Sequence, residues 1–384
     1  MIYFSLFGTI FGLHYILTPK LHTNTFMALD HFNEEHDIKE FATIGELKFY
    51  KTSFDNFNAF ENTLNSLFDI ELEQEFRVRE PNFILVDSAE SSPVPWHLDR
   101  ISKRNLPFDG KFPYSESGSC HKNSDVEIHT YVVDTGCDPK HPELGGRAEF
   151  LENFTDDNID TDANSHGTFC SSQIGGNTVG VCKDAKIYCV KVLDGRGSGS
   201  TSGVIAGMEY VFKRHLENEK RNPKVRSIMS MSLGGGKSYA MNRAVENMVK
   251  TSNTFYITVA SGNEDSDACN TSPASARGIF TANAMDKYDQ RAYFSNYGRC
   301  TDIYSPGVDN YGAVLNGKYA VESGTSFSTP IIAGVLNHYI DMYPSLNMKQ
   351  LKEKVLSDAT KDTIKNNPKN TPNSMVFLHR NGGQ

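Results

Sequence analysis

The chain has no surplus of basic residues, and this absence narrows its partners first. Lys and Arg number 38 against 47 Asp and Glu over 384 residues, a net charge of −9. Neither a nucleic acid nor an anionic membrane surface would be held by bulk charge. Proline (15) and glycine (30) are too few for a disordered or fibrous polymer, and no internal repeat is present. An uninterrupted apolar run of membrane-spanning length is also missing. The longest apolar stretch, residues 2–17, is broken by Thr9 and His14; it lies where a secretory signal would, although without a basic leading segment. No pair among the seven cysteines has metal-ligand spacing, and their odd number leaves at least one unpaired in a monomer. His31 with Glu35 and His36 is one residue longer than the H-x-x-E-H pattern and reads as a solvated charge cluster.

What is present is a soluble globular composition, 38% hydrophobic, long enough for one large domain and one small one. Residues 1–20 read as the signal. Residues 21–90 read as a small α+β unit, with short strands at 48–50 and 83–86 around a helix at 57–68. The segment 88–95, with two prolines among small polar residues, reads as an exposed linker. From residue 91 to 384 the pattern changes: apolar runs at 127–133, 186–193, 225–233, 254–260 and 278–284 alternate with helical stretches at 166–174, 202–216, 239–252, 326–343 and 347–359. Strands separated by helices imply crossover connections and a mainly parallel sheet covered on both faces.

In such α/β sheets functional groups gather at the carboxyl ends of strands. Asp134 stands where an apolar strand stops, two residues before a turn glycine, Gly136. His166 opens a helical stretch beside Gly167, which lets other backbone approach. Ser326 lies at the first turn of a long apolar helix, where unpaired N–H groups favour developing negative charge. Singly these residues read as a turn former, a structural histidine and a helix cap. Together they supply acid, base and nucleophile. An α/β-hydrolase esterase is excluded, because no G-x-S-x-G occurs and the order is Asp, His, Ser.

These three segments, in this order, resemble the signature motifs of the subtilisin-like serine peptidases, and most of all the proteinase K-like branch. The similarity runs through most of residues 94–380. It includes Pro95-Trp-His-Leu-Asp-Arg-Ile-Ser102, Val192-Leu-Asp-Gly-Arg-Gly-Ser-Gly199, Met231-Ser-Leu-Gly-Gly-Gly236, Val259-Ala-Ser-Gly-Asn263 and Phe294-Ser-Asn-Tyr-Gly298. The resemblance implies an α/β, three-layer subtilisin-like fold with a mainly parallel central sheet. The small N-terminal domain would be a propeptide, acting as intramolecular inhibitor and cut off by the enzyme itself within about residues 86–93. Ser326 would be the nucleophile, His166 its general base, Asp134 the group that orients His166, and Asn263 the oxyanion donor beside the Ser326 backbone N–H.

The resemblance further implies that a protein or peptide substrate adds as a strand between Gly197-Ser198-Gly199 and Ser232-Leu233-Gly234-Gly235. The primary pocket would be walled by Leu233 to Gly235 and by Ala260, Ser261 and Gly262, with Ala274 near. None of these is acidic, which favours apolar or aromatic side chains before the scissile bond. No cofactor is implied for catalysis. Asp302, with the carbonyls of Arg277 and Ile279, matches a structural calcium site, the alternative being a local hydrogen bond from Asp302. Cys269 and Cys300 match a disulfide pair of part of the family, and closing their loop would contribute about 3 kcal/mol. Cys120 with Cys137 is a candidate second bridge, with other pairings open. Cys170 matches a buried free thiol beneath the histidine, and buried thiols are expected at Cys182 and Cys189. The expected product is a monomeric enzyme, secreted or held at the cell surface. The rival reading is a catalytically silent binding or surface protein of the same fold.

Overall fold

The computed structural model describes residues 14–20, 38–53, 62, 64–78, 82–86, 94–112, 120–121 and 126–378. The first 13 residues, the His31 to His36 cluster and most of the expected linker lie outside them.

At the N-terminus β1 (His14–Pro19), β2 (Lys39–Ile44), β3 (Leu47–Ser53) and β4 (Phe68–Leu72) form an antiparallel sheet of order β2-β3-β1-β4. β1 occupies residues that the sequence reading gave to the end of a signal. A strand paired on both sides with both faces covered must itself be apolar, and Ile16 and Leu17 are fully buried. In composition such a strand looks like the end of a leader. Residues 62 and 64–67 are helical, as expected. β4 begins where that helix was expected to end.

Two further strands follow, β5 (Glu75–Arg77) and β6 (Asn82–Val86). The large domain then begins with a short helix, α1 (Trp96–Ile101). β7 (Glu127–Asp134) and β8 (Ala148–Asn153) precede α2 (His166–Gly175). β9 (Lys186–Lys191) and β10 (Ser198–Ser200) lead into α3 (Thr201–Arg221). β11 (Val225–Met231) and the two-residue β12 (Gly235–Gly236) precede α4 (Tyr239–Thr251). Next come β13 (Phe255–Ala260), β14 (Thr271–Ser272), β15 (Phe280–Met285) and β16 (Ile303–Pro306). The hairpin β17 (Asn310–Val314) and β18 (Lys318–Ser323) runs into α5 (Thr325–Met342). α6 (Met348–Asp358), β19 (Thr360–Lys361) and β20 (Ser374–Met375) complete the fold.

Nine strands make the central sheet in the order β19-β20-β16-β15-β13-β11-β7-β9-β8, parallel throughout except between β19 and β20. Every residue of β13 is buried, as a strand covered on both faces requires. α2 and α5 pack on each other and on the sheet, as do α3 and α4. The five strands and five helices expected from the pattern are all present. β8 and β16 were not expected, because β8 is only half-buried and β16 is four residues long. The small sheet lies on α3 and α4. Among the described residues no helix is long and apolar enough to cross a membrane.

Candidate active site

β7 and β9 run side by side, and the turn after β7 must pass close to the start of α2. Two glycines make this approach possible. Gly136 has φ +100°, and a Cβ on Gly167 would collide with the Gly136 carbonyl oxygen. Asp162 ties the same two segments together. Its carboxylate accepts from the Thr135 hydroxyl (2.9 Å), the backbone N–H groups of Asn164 (2.8 Å), Ser165 (3.0 Å) and Thr168 (3.0 Å), and the Thr168 hydroxyl (2.6 Å). The sequence reading missed Asp162; its one signal is its place four residues before His166.

Held in this way, His166 Nδ1 lies 2.7 Å from Asp134 Oδ1, both side chains being buried. The same oxygen accepts the Thr135 N–H at 2.7 Å. Burial opposes the charged imidazole, but the Asp134 carboxylate outweighs it and holds the His166 pKa well above its ordinary 6.5. Cys170 follows one turn later, its Sγ 3.8 Å from His166 Nδ1. Burial pushes its thiol up to about 11, so at neutral pH it is uncharged and is no competing nucleophile.

Ser326 is the second residue of α5. Its Oγ donates to the Ser232 carbonyl at 3.2 Å, and its own carbonyl accepts from Ser232 Oγ at 2.8 Å. These contacts fix Ser326 against the end of β11. Phe327, which follows it, packs its ring on Phe169 at 4.4 Å and on His166 at 5.5 Å. Asn263 Oδ1 accepts from Thr325 N–H (2.9 Å) and Thr325 Oγ1 (2.8 Å). An amide whose oxygen is committed to donors presents its NH₂ as the donating end. Thr325 thereby sets which end of the Asn263 amide is free to donate, a role the sequence reading did not assign.

One pocket is lined by Leu233, Gly234, Ala260, Gly262, Asn263, Thr325 and Ser326, together with Arg77 and Glu264. Most of the expected wall is therefore brought together. Ser261 is instead buried behind it, donating its N–H to the Ala282 carbonyl at 2.9 Å, and Ala274 is buried with its carbonyl accepting from Thr281 Oγ1. The expectation of a pocket free of acidic groups is corrected by Glu264, which directly follows Asn263 and was overlooked. Asn296 steadies it, its Nδ2 2.7 Å from Glu264 Oε2.

The strand position between the two glycine-rich segments is filled by the chain itself. β5 pairs antiparallel with β10, Arg77 opposite Ser198, Phe76 opposite Gly199 and Glu75 opposite Ser200. On the other side Arg77 exchanges both backbone hydrogen bonds with Gly234, at 3.0 and 3.2 Å, and Val78 N–H donates to the Gly197 carbonyl at 3.0 Å. The Phe76 ring is fully buried, and a Cβ on Gly235 would touch it. Gly235 also pairs with Ser272 across β12 and β14.

The residues at the expected calcium site do not fit a calcium ion. Asp302 Oδ1 lies 2.7 Å from Lys352 Nζ, and the same ammonium donates to the Ile279 carbonyl. A lysine cation thus occupies the space between two of the expected ligands. The other Asp302 oxygen accepts Thr281 N–H at 2.8 Å, and Arg277 N–H donates to Glu246.

Cys269 is bonded to Cys300. The Cys120–Cys137 pairing is corrected: Cys137 is bonded to Cys189 and Cys120 to Cys182. Cys189 lies on β9 opposite Val132 of β7, so the turn after β7 carries Cys137 to it, with Cα atoms 5.9 Å apart. Cys182 and Cys189 are therefore bridged, and Cys170 is the buried free thiol.

The pattern of the Subtilase family matches residues 129–376. The chain belongs to this family. It is 40% identical over 297 residues to a subtilisin-like serine protease of Rhodotorula mucilaginosa, which covers 74% of this chain and 85% of that one. It is 38% identical over 317 residues to alkaline protease 2 of Aspergillus fumigatus, covering 77% of this chain and 62% of that relative. A cold adapted subtilisin-like serine proteinase of known structure superposes with a TM-score of 0.67 at 35% identity, covering 75% of this chain and all of the other. With the family and the Asp134–His166 contact both in place, this subtilase is a serine endopeptidase that needs no cofactor for its chemistry.

Proposed function

We propose that this subtilase is made as a secreted, self-inhibited precursor: the small N-terminal sheet and β5 block the cleft, the enzyme cuts its own chain, and the freed site hydrolyses proteins. The observation that carries this reading is β5, which fills the position of a substrate strand. The Asp134–His166 contact supports the following roles. Ser326 attacks the scissile carbonyl while His166 takes its proton; Asp134 holds the imidazole through Nδ1; Asn263 NH₂ and the N–H groups at the start of α5 face the developing oxyanion. Because peptide is held by backbone pairing along β10 and at Gly234, selection is broad. The apolar walls at Leu233, Ala260 and Gly262 favour apolar or aromatic residues before the scissile bond, and Glu264 adds room for basic ones. The mature enzyme acts as a monomer outside the cytosol.

The test is peptide cleavage near pH 8 by purified precursor and by its Ser326→Ala variant. Wild type should mature and then cut the peptide, while the variant stays whole and loses activity by about 10⁶-fold. A folded wild type as inert as the variant would overturn the reading.

A further inference from the structure

We infer that Lys352 is a built-in structural cation: its ammonium takes the position where the resemblance places calcium, and it holds this corner of the fold whether or not calcium is dissolved around it. The inference is independent of how the chain matures. Ile279 stands just before β15 and Asp302 just before β16, and these two strands are parallel neighbours, Ala282 opposite Ile303. Asp302 is closed onto β15 from both ends. Its N–H donates to the Thr281 carbonyl at 3.0 Å, and its Oδ2 accepts the Thr281 N–H at 2.8 Å. The other carboxylate oxygen, Oδ1, lies 2.7 Å from Lys352 Nζ, and the Ile279 carbonyl accepts from the same ammonium.

The cation is delivered by α6. Leu351 and Val355 are buried on that helix, and the Lys352 side chain beside them is only 20% exposed. Its Nζ lies 5.7 Å from the centre of the Phe280 ring. A carboxylate, a carbonyl and an aromatic face thus surround one ammonium, each a favourable neighbour for a positive charge. Calcium asks for something else, six to eight oxygens at about 2.3–2.6 Å. It would also have to share Asp302 Oδ1 and the Ile279 carbonyl with a cation already bonded to both. Two positive charges that close repel strongly in a half-buried site, so occupation by lysine and by calcium is mutually exclusive.

The two cations differ in what they ask of the surroundings. A bound ion stabilises the fold by mass action, and its contribution fades as its free concentration falls. An ammonium tethered to α6 cannot be diluted or chelated. It also ties a helix near the C-terminus to the starts of β15 and β16, a link that a free ion would not make. At this site the enzyme is therefore indifferent to calcium-poor surroundings.

The test is thermal unfolding of the full chain carrying Ser326→Ala, which prevents self-digestion, in excess chelator and in millimolar calcium. Whatever calcium adds to the melting temperature should be the same with and without Asp302→Asn. A calcium-dependent rise that Asp302→Asn abolishes would overturn the inference, because Asp302 would then be holding the ion. In chelator, Lys352→Met keeps an unbranched stem beside Phe280 and should lower the melting temperature by at least about 2 °C. Adding Asp302→Asn should recover part of that loss, since it removes the carboxylate left without its partner. An unchanged melting temperature in Lys352→Met, or losses that simply add, would show that the ammonium does not hold this corner. If Lys352→Met fails to fold, the calcium comparison on Asp302→Asn decides alone.

Discussion

The large domain and the small N-terminal sheet bury their apolar residues in different ways. The nine-stranded sheet is enclosed by its own helices, and its core is continuous from β7 through β15. Among the described residues the small sheet has an independent buried cluster of Leu17, Ile38, Tyr50, Leu64 and Phe68, with Tyr15, Leu67 and Ile70 packed against it. Its other buried residues, Ile16, Ala42, Ile44, Phe49 and then Phe76, belong to the core of the enzyme. A unit of this size buries too little surface to be stable alone without further help. The lesson is that one half is a scaffold that can keep its shape, while the other gains much of its burial from the surface of the first.

The widest separation between the halves comes from Asn263→Ala. It removes the donor proposed to face the oxyanion and leaves the small sheet untouched. The expected loss is about 10²–10³ in kcat with KM little changed, measured on matured enzyme, and maturation should slow by a similar factor. A loss of KM alone would mean that Asn263 merely shapes the pocket. Next in size is Phe76→Ala, which acts on the inhibitor and spares the chemistry. Truncating a buried phenylalanine costs about 3–5 kcal/mol, and three of these correspond to at least a hundredfold weaker inhibition. The measurement is the lag before activity appears after the chain is cut. An unchanged lag would show that the sheet is held by its contacts with α3 and α4 alone.

The same contrast separates what could be read in the sequence from what could not. Asp134, His166, Ser326 and Asn263 were legible because each sits at a strand end or helix start with a local signature, and glycines at 136 and 167 announce the close approach that joins two of them. Partnerships across the sheet were not legible. Cys137 and Cys189 are 52 residues apart and meet only because β7 and β9 are neighbours. Lys352 reaches Asp302 from α6 and takes a place that the family resemblance assigns to calcium. β1 was hidden for a related reason: a central strand needs apolar residues on both faces, and at the start of a chain that composition also describes a leader.

The smallest predicted effect concerns how the N-terminal unit, proposed as the inhibitor, is fastened. Two of its carboxylates sit at helix N-termini of the enzyme, where N–H groups lack intrahelical partners. Glu71 accepts from Ser238 Oγ and from Tyr239 N–H at the start of α4 (2.7 Å for the latter). Glu73 accepts from Ser202 Oγ and N–H at the start of α3 and pairs with Lys51 at 2.7 Å. They respond to pH in opposite directions. Burial raises the pKa of Glu71 above 4.5, outweighing its bond to Ser238. For Glu73 burial acts the same way, but Lys51 and Ser202 outweigh it and lower the pKa. A lowered pKa means that the Glu73 contribution is fully present above about pH 4.5 and is lost as pH falls through the lower bound-state value. The Glu71 carboxyl takes up its proton earlier, so its linkage favours the bound state as pH falls. Glu73→Gln should therefore weaken inhibition at pH 7 by about fivefold, a cap's worth of about 1 kcal/mol, and reduce the acid-triggered part of release. Glu71→Gln should weaken it less and leave that acid dependence in place. Inhibition measured from pH 3 to 7 on the cut but undissociated complex separates the two, and identical profiles for both variants would show that the caps do not control release.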